Sequence, residues 1–190
     1  MELDTPGLAT QRLALYEERL RDQSERLGLV STAGLENFAT LLLDPCLRMG
    51  ELPALCAARN IVDLGSGNGL PGIPVAILHP DKPVLLVDSR LKRCQFLTDV
   101  AAALELEHVR VLHARVEKVR AEAPPDLFIC RFFKDLRLMA AWTRHWRVAG
   151  TRYLVVAGQE ESPQPAVYDL TLQGSHPLSA GKVALEYLAG

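Results

Sequence analysis

The chain has 190 residues, 48% hydrophobic and 23% charged, which is enough for one full α/β domain with a small appendage and too little for two large domains. Its net charge of −2 excludes a general polyanion binder, so any nucleic-acid contact has to come from a local patch. No apolar run approaches the ~20 residues that cross a bilayer, and Met1-Glu2-Leu3-Asp4 has no signal-peptide character. The four cysteines, Cys46, Cys56, Cys94 and Cys130, are spaced too widely for a metal or redox motif and read as reduced thiols of a cytoplasmic protein.

In chain order, the first segment is helical in pattern. Leu8, Leu13, Tyr16, Leu20 and Leu27 recur near helical spacing among charged residues. Gly28 and Gly34 break the run, a second helix is expected from Leu35 to about Leu43, and Asp44-Pro45 marks a boundary. Residues 1–58 are therefore expected to form a small helical N-terminal cap on a domain of residues 59–190.

From Asn60 the pattern changes to strands alternating with helices. Strands are expected at Asn60–Asp63, Val84–Asp88, Val109–His113, Leu127–Cys130 and Tyr153–Ala157. Helices are expected at Ile73–Leu78, Leu91–Leu104 and Leu136–Trp146, with a short turn near Val116–Ala121. Such alternation predicts a parallel sheet covered on both faces. The tail differs: Val167–Leu172 and Val183–Leu188, split by Gly174 and Pro177, read as two strands with no helix between them. The expected fold is α/β and Rossmann-like, in its methyltransferase variant: a mostly parallel sheet ending in a C-terminal antiparallel hairpin.

The first strand runs into Asp63-Leu64-Gly65-Ser66-Gly67-Asn68-Gly69-Leu70-Pro71-Gly72-Ile73-Pro74. Glycines let the backbone turn with positive φ and let a ligand approach closely, here before the start of a helix. The Gly67-x-Gly69-x-x-Gly72 spacing also satisfies a dinucleotide fingerprint. Asp63 would repel a pyrophosphate, however, and Pro71 withholds an N–H where a phosphate would want one. A carboxylate before the loop suits a ligand with an ammonium group or hydroxyls, which favours S-adenosylmethionine over NAD. Asp88, ending the second strand, fits the ribose hydroxyls of either.

In an open sheet of this kind the ligand lies beyond the carboxyl ends of the strands. Four tracts reach that edge: Asp63 with the glycines, Asp88-Ser89, Ala114-Arg115-Val116-Glu117, and Cys130-Arg131-Phe132-Phe133. The last lacks the Asp/Asn-Pro-Pro-aromatic tract of amino-group methylation. A cysteine nucleophile for pyrimidine-carbon methylation could only be Cys46 or Cys130, and both read better as buried apolar side chains. Guanine N7 carries a free lone pair and needs neither base nor nucleophile, only orientation and exclusion of water. Phe132 or Phe133 could stack on such a base, with core packing the competing role. Arg90, Lys92 and Arg93 after the second strand and Arg131, Lys134, Arg137, Arg144 and Arg147 after the fourth supply positive charge; Arg137, Arg144 and Arg147 read as a solvated helix face.

Together these tracts resemble the glucose-inhibited division protein B family of bacterial methyltransferases that modify a guanine N7 in 16S ribosomal RNA. The resemblance runs from about Asn60 to Gln159, and its most specific mark is the Gly-Leu-Pro-Gly-Ile-Pro ending at Gly69–Pro74. Asp88-Ser89 with Lys92-Arg93 and Phe96-Leu97, then Arg115-Val116-Glu117, then Arg131 with Phe133, complete it. The resemblance implies S-adenosylmethionine as cofactor, with S-adenosylhomocysteine as product. It implies cofactor binding by Asp63, Gly65, Ser66, Gly67, Gly69, Leu70, Pro71, Asp88, Ser89, Ala114, Arg115 and Arg131, with Arg115 and Arg131 in the active cleft. It implies 16S ribosomal RNA in the small subunit as partner, with no metal and no membrane, and a monomer in the cytoplasm. The chain departs from the family pattern on the acceptor side: Gly28-Leu29-Val30 replaces Asn-Leu-Thr, Leu41–Cys46 replaces the His-x-Leu-Asp-Ser-Leu motif, and Ala157-Gly158 replaces Lys-Gly. The competing expectations are a small-molecule methyltransferase and a non-catalytic S-adenosylmethionine-binding protein.

Overall fold

Five short apolar runs become adjacent parallel strands because each is bounded by turn-forming residues and followed by a segment of helical period. The computed structural model describes residues 6–120, 123–131, 135–160 and 163–190. Four α-helices open the chain: α1 (Pro6–Leu27), α2 (Thr32–Glu36), α3 (Asp44–Gly50) and α4 (Pro53–Ala57), with a π-helix over Phe38–Leu43 running directly into α3. Strands and helices then alternate: β1 (Ile61–Leu64), α5 (Gly72–Leu78), β2 (Val84–Asp88), α6 (Leu91–Ala103), β3 (Val109–His113), a 3-10 turn at Val116–Lys118, β4 (Leu127–Arg131), α7 (Leu136–Thr143) and β5 (Arg152–Gly158). The tail is β6 (Ala166–Val167), β7 (Leu170–Pro177) and β8 (Lys182–Ala189).

The sheet order is β3-β2-β1-β4-β5-β8-β7-β6, with β1 to β5 parallel and the β5–β8, β8–β7 and β7–β6 pairs antiparallel. This is the expected parallel sheet with an antiparallel C-terminal end. Alternate residues feed two cores. Ile61, Leu86, Ile129 and Leu154 face α5, α6 and the N-terminal helices, which contribute Tyr16, Leu20, Phe38, Met49 and Leu55 to the same cluster. Val62, Val87, Phe128 and Tyr153 face α7 with its Met139 and Ala140. The N-terminal helices thus share the core of the domain that follows. Among the described residues no helix is long and apolar enough to cross a membrane.

Three expectations need correction. Arg147 is not on a solvated helix face: it lies past α7, its side chain is 3% exposed, and it pairs with Asp169. Asp44-Pro45 does not end the helical path, since Asp44 keeps helical angles (φ −55, ψ −41) and α3 starts there. The wide π-turn lies immediately before Pro45, whose ring and missing N–H cannot follow an ordinary α-turn. In the tail, the strand expected to end at Leu172, before Gly174, instead runs on through it to Pro177, with a register shift between Leu172 and Gly174 where a glycine accommodates a bulge. A further break falls between β6 and β7, where Tyr168 adopts φ 53.

Candidate active site

The parallel strands end on one edge, and β1 in the middle sets its chemistry. All four β1 residues are buried, Asp63 among them at 1% exposure. Asp63 Oδ2 accepts the Gly72 N–H at 3.2 Å, while Oδ1 is buried and has no hydrogen-bond partner among the described residues. Burial pushes this carboxyl from an ordinary 3.8 up to about 7, against the Ser66 hydroxyl and the Gly72 N–H, and the nearby Asp88 charge adds to the rise. An orphaned buried carboxylate oxygen is costly unless a ligand satisfies it.

The folded value lies above the unfolded one, so the folded chain holds the extra proton between about pH 4 and pH 7. Stability attributable to Asp63 is therefore greatest below about pH 4 and falls, by up to a few kcal/mol, as pH rises to about 7. Asp63→Asn is expected to flatten this dependence in urea unfolding between pH 5 and 7.5. An unchanged slope would contradict the raised value.

The glycine loop is braced from the next strand. Gly65 and Ser66 N–H groups donate to Val87 O at 2.8 and 3.0 Å. Gly65 has φ +69, is exposed, and nothing lies within 4 Å of where its Cβ would stand, so a ligand can lie against its backbone. Ser66 is buried and donates to Asp63 O at 3.0 Å. Gly67, Gly69, Leu70 and Pro71 are buried within the loop.

Asp88 joins three of the four tracts. Its Oδ2 accepts Gly67 N–H at 2.9 Å, its Oδ1 accepts Arg90 N–H at 2.8 Å, and its carbonyl accepts Ala114 N–H at 3.1 Å. Each carboxylate oxygen keeps a lone pair for a further donor. Ser89 is exposed beside it. Arg115, exposed, pairs with Glu117 at 3.2 Å. Three strand spacings separate the ends of β3 and β4, about 14 Å. Arg115 and Arg131 therefore start from opposite sides of the cleft.

Arg131 ends β4 half-buried, and its Nη1 donates to Leu42 O of the π-helix at 3.3 Å. Burial raises the Cys46 thiol beside it to about 12, against the Arg131 charge, and burial pushes Cys130 higher still. Cys130 contacts Met139 on the opposite face of the sheet. Burial thus disfavours the thiolate form that a nucleophile needs at both positions. Phe132, Phe133 and Lys134 lie outside the described residues.

Two site residues escaped the sequence reading. Tyr16, fully buried on α1, donates to Asn68 O at 2.8 Å, and Asn68 Nδ2 reaches Leu29 O at 3.4 Å. Both bonds tie the glycine loop to the N-terminal helices. The available signal was a tyrosine at an apolar stripe position, whose hydroxyl must find a partner when buried. Burial pushes its phenol well above 10.0, so it remains a donor. Tyr16→Phe is expected to cost about 1 kcal/mol in denaturant unfolding and to weaken ligand binding at the loop a few-fold. Parent-like values in both would show that the bond braces nothing.

The model of the family described as rRNA small subunit methyltransferase G (GidB) matches residues 9–173. The chain belongs to this family. A relative in Pseudomonas aeruginosa (strain LESB58), named ribosomal RNA small subunit methyltransferase G, is 39% identical over 130 residues, covering 67% of this chain and 61% of the relative. One of that name in Pseudomonas putida (strain F1) is 43% identical over 99 residues, 52% of this chain and 46% of the relative. The alignments thus span only about half to three-fifths of these relatives' length. Among solved structures, a SAM-dependent methyltransferase from Aquifex aeolicus superposes with TM-score 0.61 at 12% identity, covering 92% of this chain and 98% of the other. The mitomycin 7-O-methyltransferase MmcR superposes with TM-score 0.67 at 13% identity, covering 83% and 55%. At such identities these structures speak for the fold alone: the Rossmann-like sheet is that of methyltransferases.

Proposed function

We propose that the protein methylates a guanine N7 of 16S ribosomal RNA in the small ribosomal subunit, using S-adenosylmethionine and releasing S-adenosylhomocysteine. The observation that carries this reading is the family match across residues 9–173, which includes the N-terminal helices as well as the glycine loop. When bound, S-adenosylmethionine supplies an electrophilic methyl group on a sulfonium centre. The residues present fit it. The orphaned Asp63 Oδ1 suits its ammonium group, directly or through water, and Asp88 has acceptor capacity left for ribose hydroxyls. The open backbone at Gly65 gives the ligand its bed, with Ser66, Gly67 and Gly69 shaping the loop and Leu70 and Pro71 packing behind it.

Ser89, Ala114 and Arg115 then border the adenosine end, and Arg131 stands on the acceptor side under the π-helix. The chain supplies orientation and a dry cleft, which is what an acceptor nitrogen with its own lone pair requires. The buried, strongly raised thiols agree with a reaction that uses no cysteine nucleophile. Residues 1–58 act as a cap on the 59–190 domain, and the protein works as a cytoplasmic monomer without metal. A metabolite acceptor is not favoured by the family.

The experiment supplies labelled S-adenosylmethionine with small subunits from a strain lacking this protein, with large subunits, and with a low-molecular-weight cell extract. Label entering only 16S ribosomal RNA is expected. Label entering the extract instead would overturn the RNA reading.

A further inference from the structure

Beside the cofactor loop, α1 and the start of α6 enclose a groove of about 420 Å³. Arg19, Gln23 and Arg26 share one face of α1 at helical spacing, the two arginines two turns apart, roughly 10 Å along the axis. Lys92 and Gln95 face them from α6. Arg19, Arg26 and Lys92 are exposed, and among the described residues none forms an ion pair; Arg26 only donates to Gln23 Oε1, with Nε at 3.0 Å. Some cations elsewhere are neutralised. Arg21 on the same helix pairs with Glu17 at 2.5 Å, and in the groove at the opposite edge of the sheet Arg59 pairs with Asp126 at 3.0 Å and Arg152 with Glu186. Asp22 and Asp99 also line the α1–α6 groove, but Arg90 and Arg93 at the start of α6 add two more cations in no ion pair. Five cations, Arg19, Arg26, Arg90, Lys92 and Arg93, thus stand in or beside this groove in no ion pair among the described residues.

The groove neighbours the glycine loop. Arg93 Nη1 lies 3.0 Å from where a Cβ on Gly67 would stand, and Leu29, just past α1, is hydrogen-bonded to Asn68 of the glycine loop. We propose that this groove carries the phosphodiester backbone of the RNA strand that flanks the target nucleotide. Arg19, Arg26 and Lys92 contact phosphates, and Gln23 and Gln95 contact phosphate or ribose oxygens. The proposal rests on the RNA-methylation reading above. Such contacts fix register and carry no sequence information, so target choice stays with the cleft.

The test is the variant Arg19→Gln/Arg26→Gln/Lys92→Gln, with binding to small subunits and to protein-free 16S ribosomal RNA measured from about 50 to 300 mM KCl. Each phosphate contact on a single strand contributes about 0.7 to the slope of log affinity against log salt. The slope is therefore expected to fall by about two, with at least tenfold weaker binding at low salt and unchanged S-adenosylmethionine affinity and melting temperature. Should the triple variant not fold, the single exposed substitutions are each expected to lower the slope by about 0.7. Parent-like slope and affinity, with methylation by the parent intact, would overturn the groove alone. A parent with no salt-sensitive affinity for either RNA form would overturn the functional reading and the groove with it. Loss of binding to intact subunits but not to protein-free RNA would assign the groove to an acidic ribosomal protein and overturn the RNA-backbone proposal.

Discussion

Gly72→Ala is expected to be the most damaging single-methyl change in the chain. The added Cβ would stand 2.4 Å from Leu86 Cδ2 and 2.5 Å from Asp63 Oδ2, and both neighbours are buried, at 0% and 1% exposure. Neither can swing aside, because Leu86 is packed in the core and Asp63 is held by the Gly72 N–H itself. Overpacking of this kind costs up to about 3 kcal/mol. For a chain of this length that lowers the melting temperature by roughly 6–12 °C. The loop must also shift, so cofactor affinity falls at least tenfold. Gly7→Ala, with nothing within 4 Å, is the control and is expected to leave both nearly unchanged. A Gly72→Ala protein that melts and binds like the parent would contradict the packing of α5 against β1.

Asp88→Ala carries the second largest effect. It strips an acceptor from two backbone N–H groups, Gly67 and Arg90, and removes the proposed ribose partner. Hydrogen bonds to charged groups are worth about 1.5–3 kcal/mol, so S-adenosylmethionine affinity is expected to fall roughly 10- to 100-fold by titration calorimetry. Asp88→Asn, which keeps one good acceptor, is expected to lie between. Unchanged affinity in Asp88→Ala would move the ribose elsewhere.

The proposed cofactor side of this site could be read from the sequence because the features that suggest it are residue types. A φ of +69° favours glycine at Gly65, a Cβ at Gly72 would meet Leu86 and Asp63, and a carboxylate best accepts the two backbone N–H groups at Asp88. The strands Val84–Asp88 and Val109–His113 fell where expected for a related reason: each is a short apolar-rich run bounded by turn residues. The proposed acceptor side was harder to read because its contacts pass through backbone atoms. Arg131 is held by the carbonyl of Leu42, and the loop is held by the carbonyls of Asn68 and Leu29. Any side chain at position 42 offers the same carbonyl. This explains how Leu41–Cys46 can differ from the family motif while the π-helix still reaches the cleft. The π-turn before Pro45 and the bulge at Gly174 were missed for another reason. In each, one extra residue is absorbed by neighbouring structure, which no local pattern announces.

The central claim is that the transferred methyl ends on a guanine N7, and this is measured by mapping the product. Small subunits from a strain lacking this protein are methylated by the purified enzyme, and the 16S ribosomal RNA is cleaved chemically at 7-methylguanosine. The account predicts one new cleavage at a single guanine, absent from the unmethylated control and lost with Asp88→Ala at limiting S-adenosylmethionine. Methyl transfer with no cleavage, or cleavage scattered over many guanines, would contradict it.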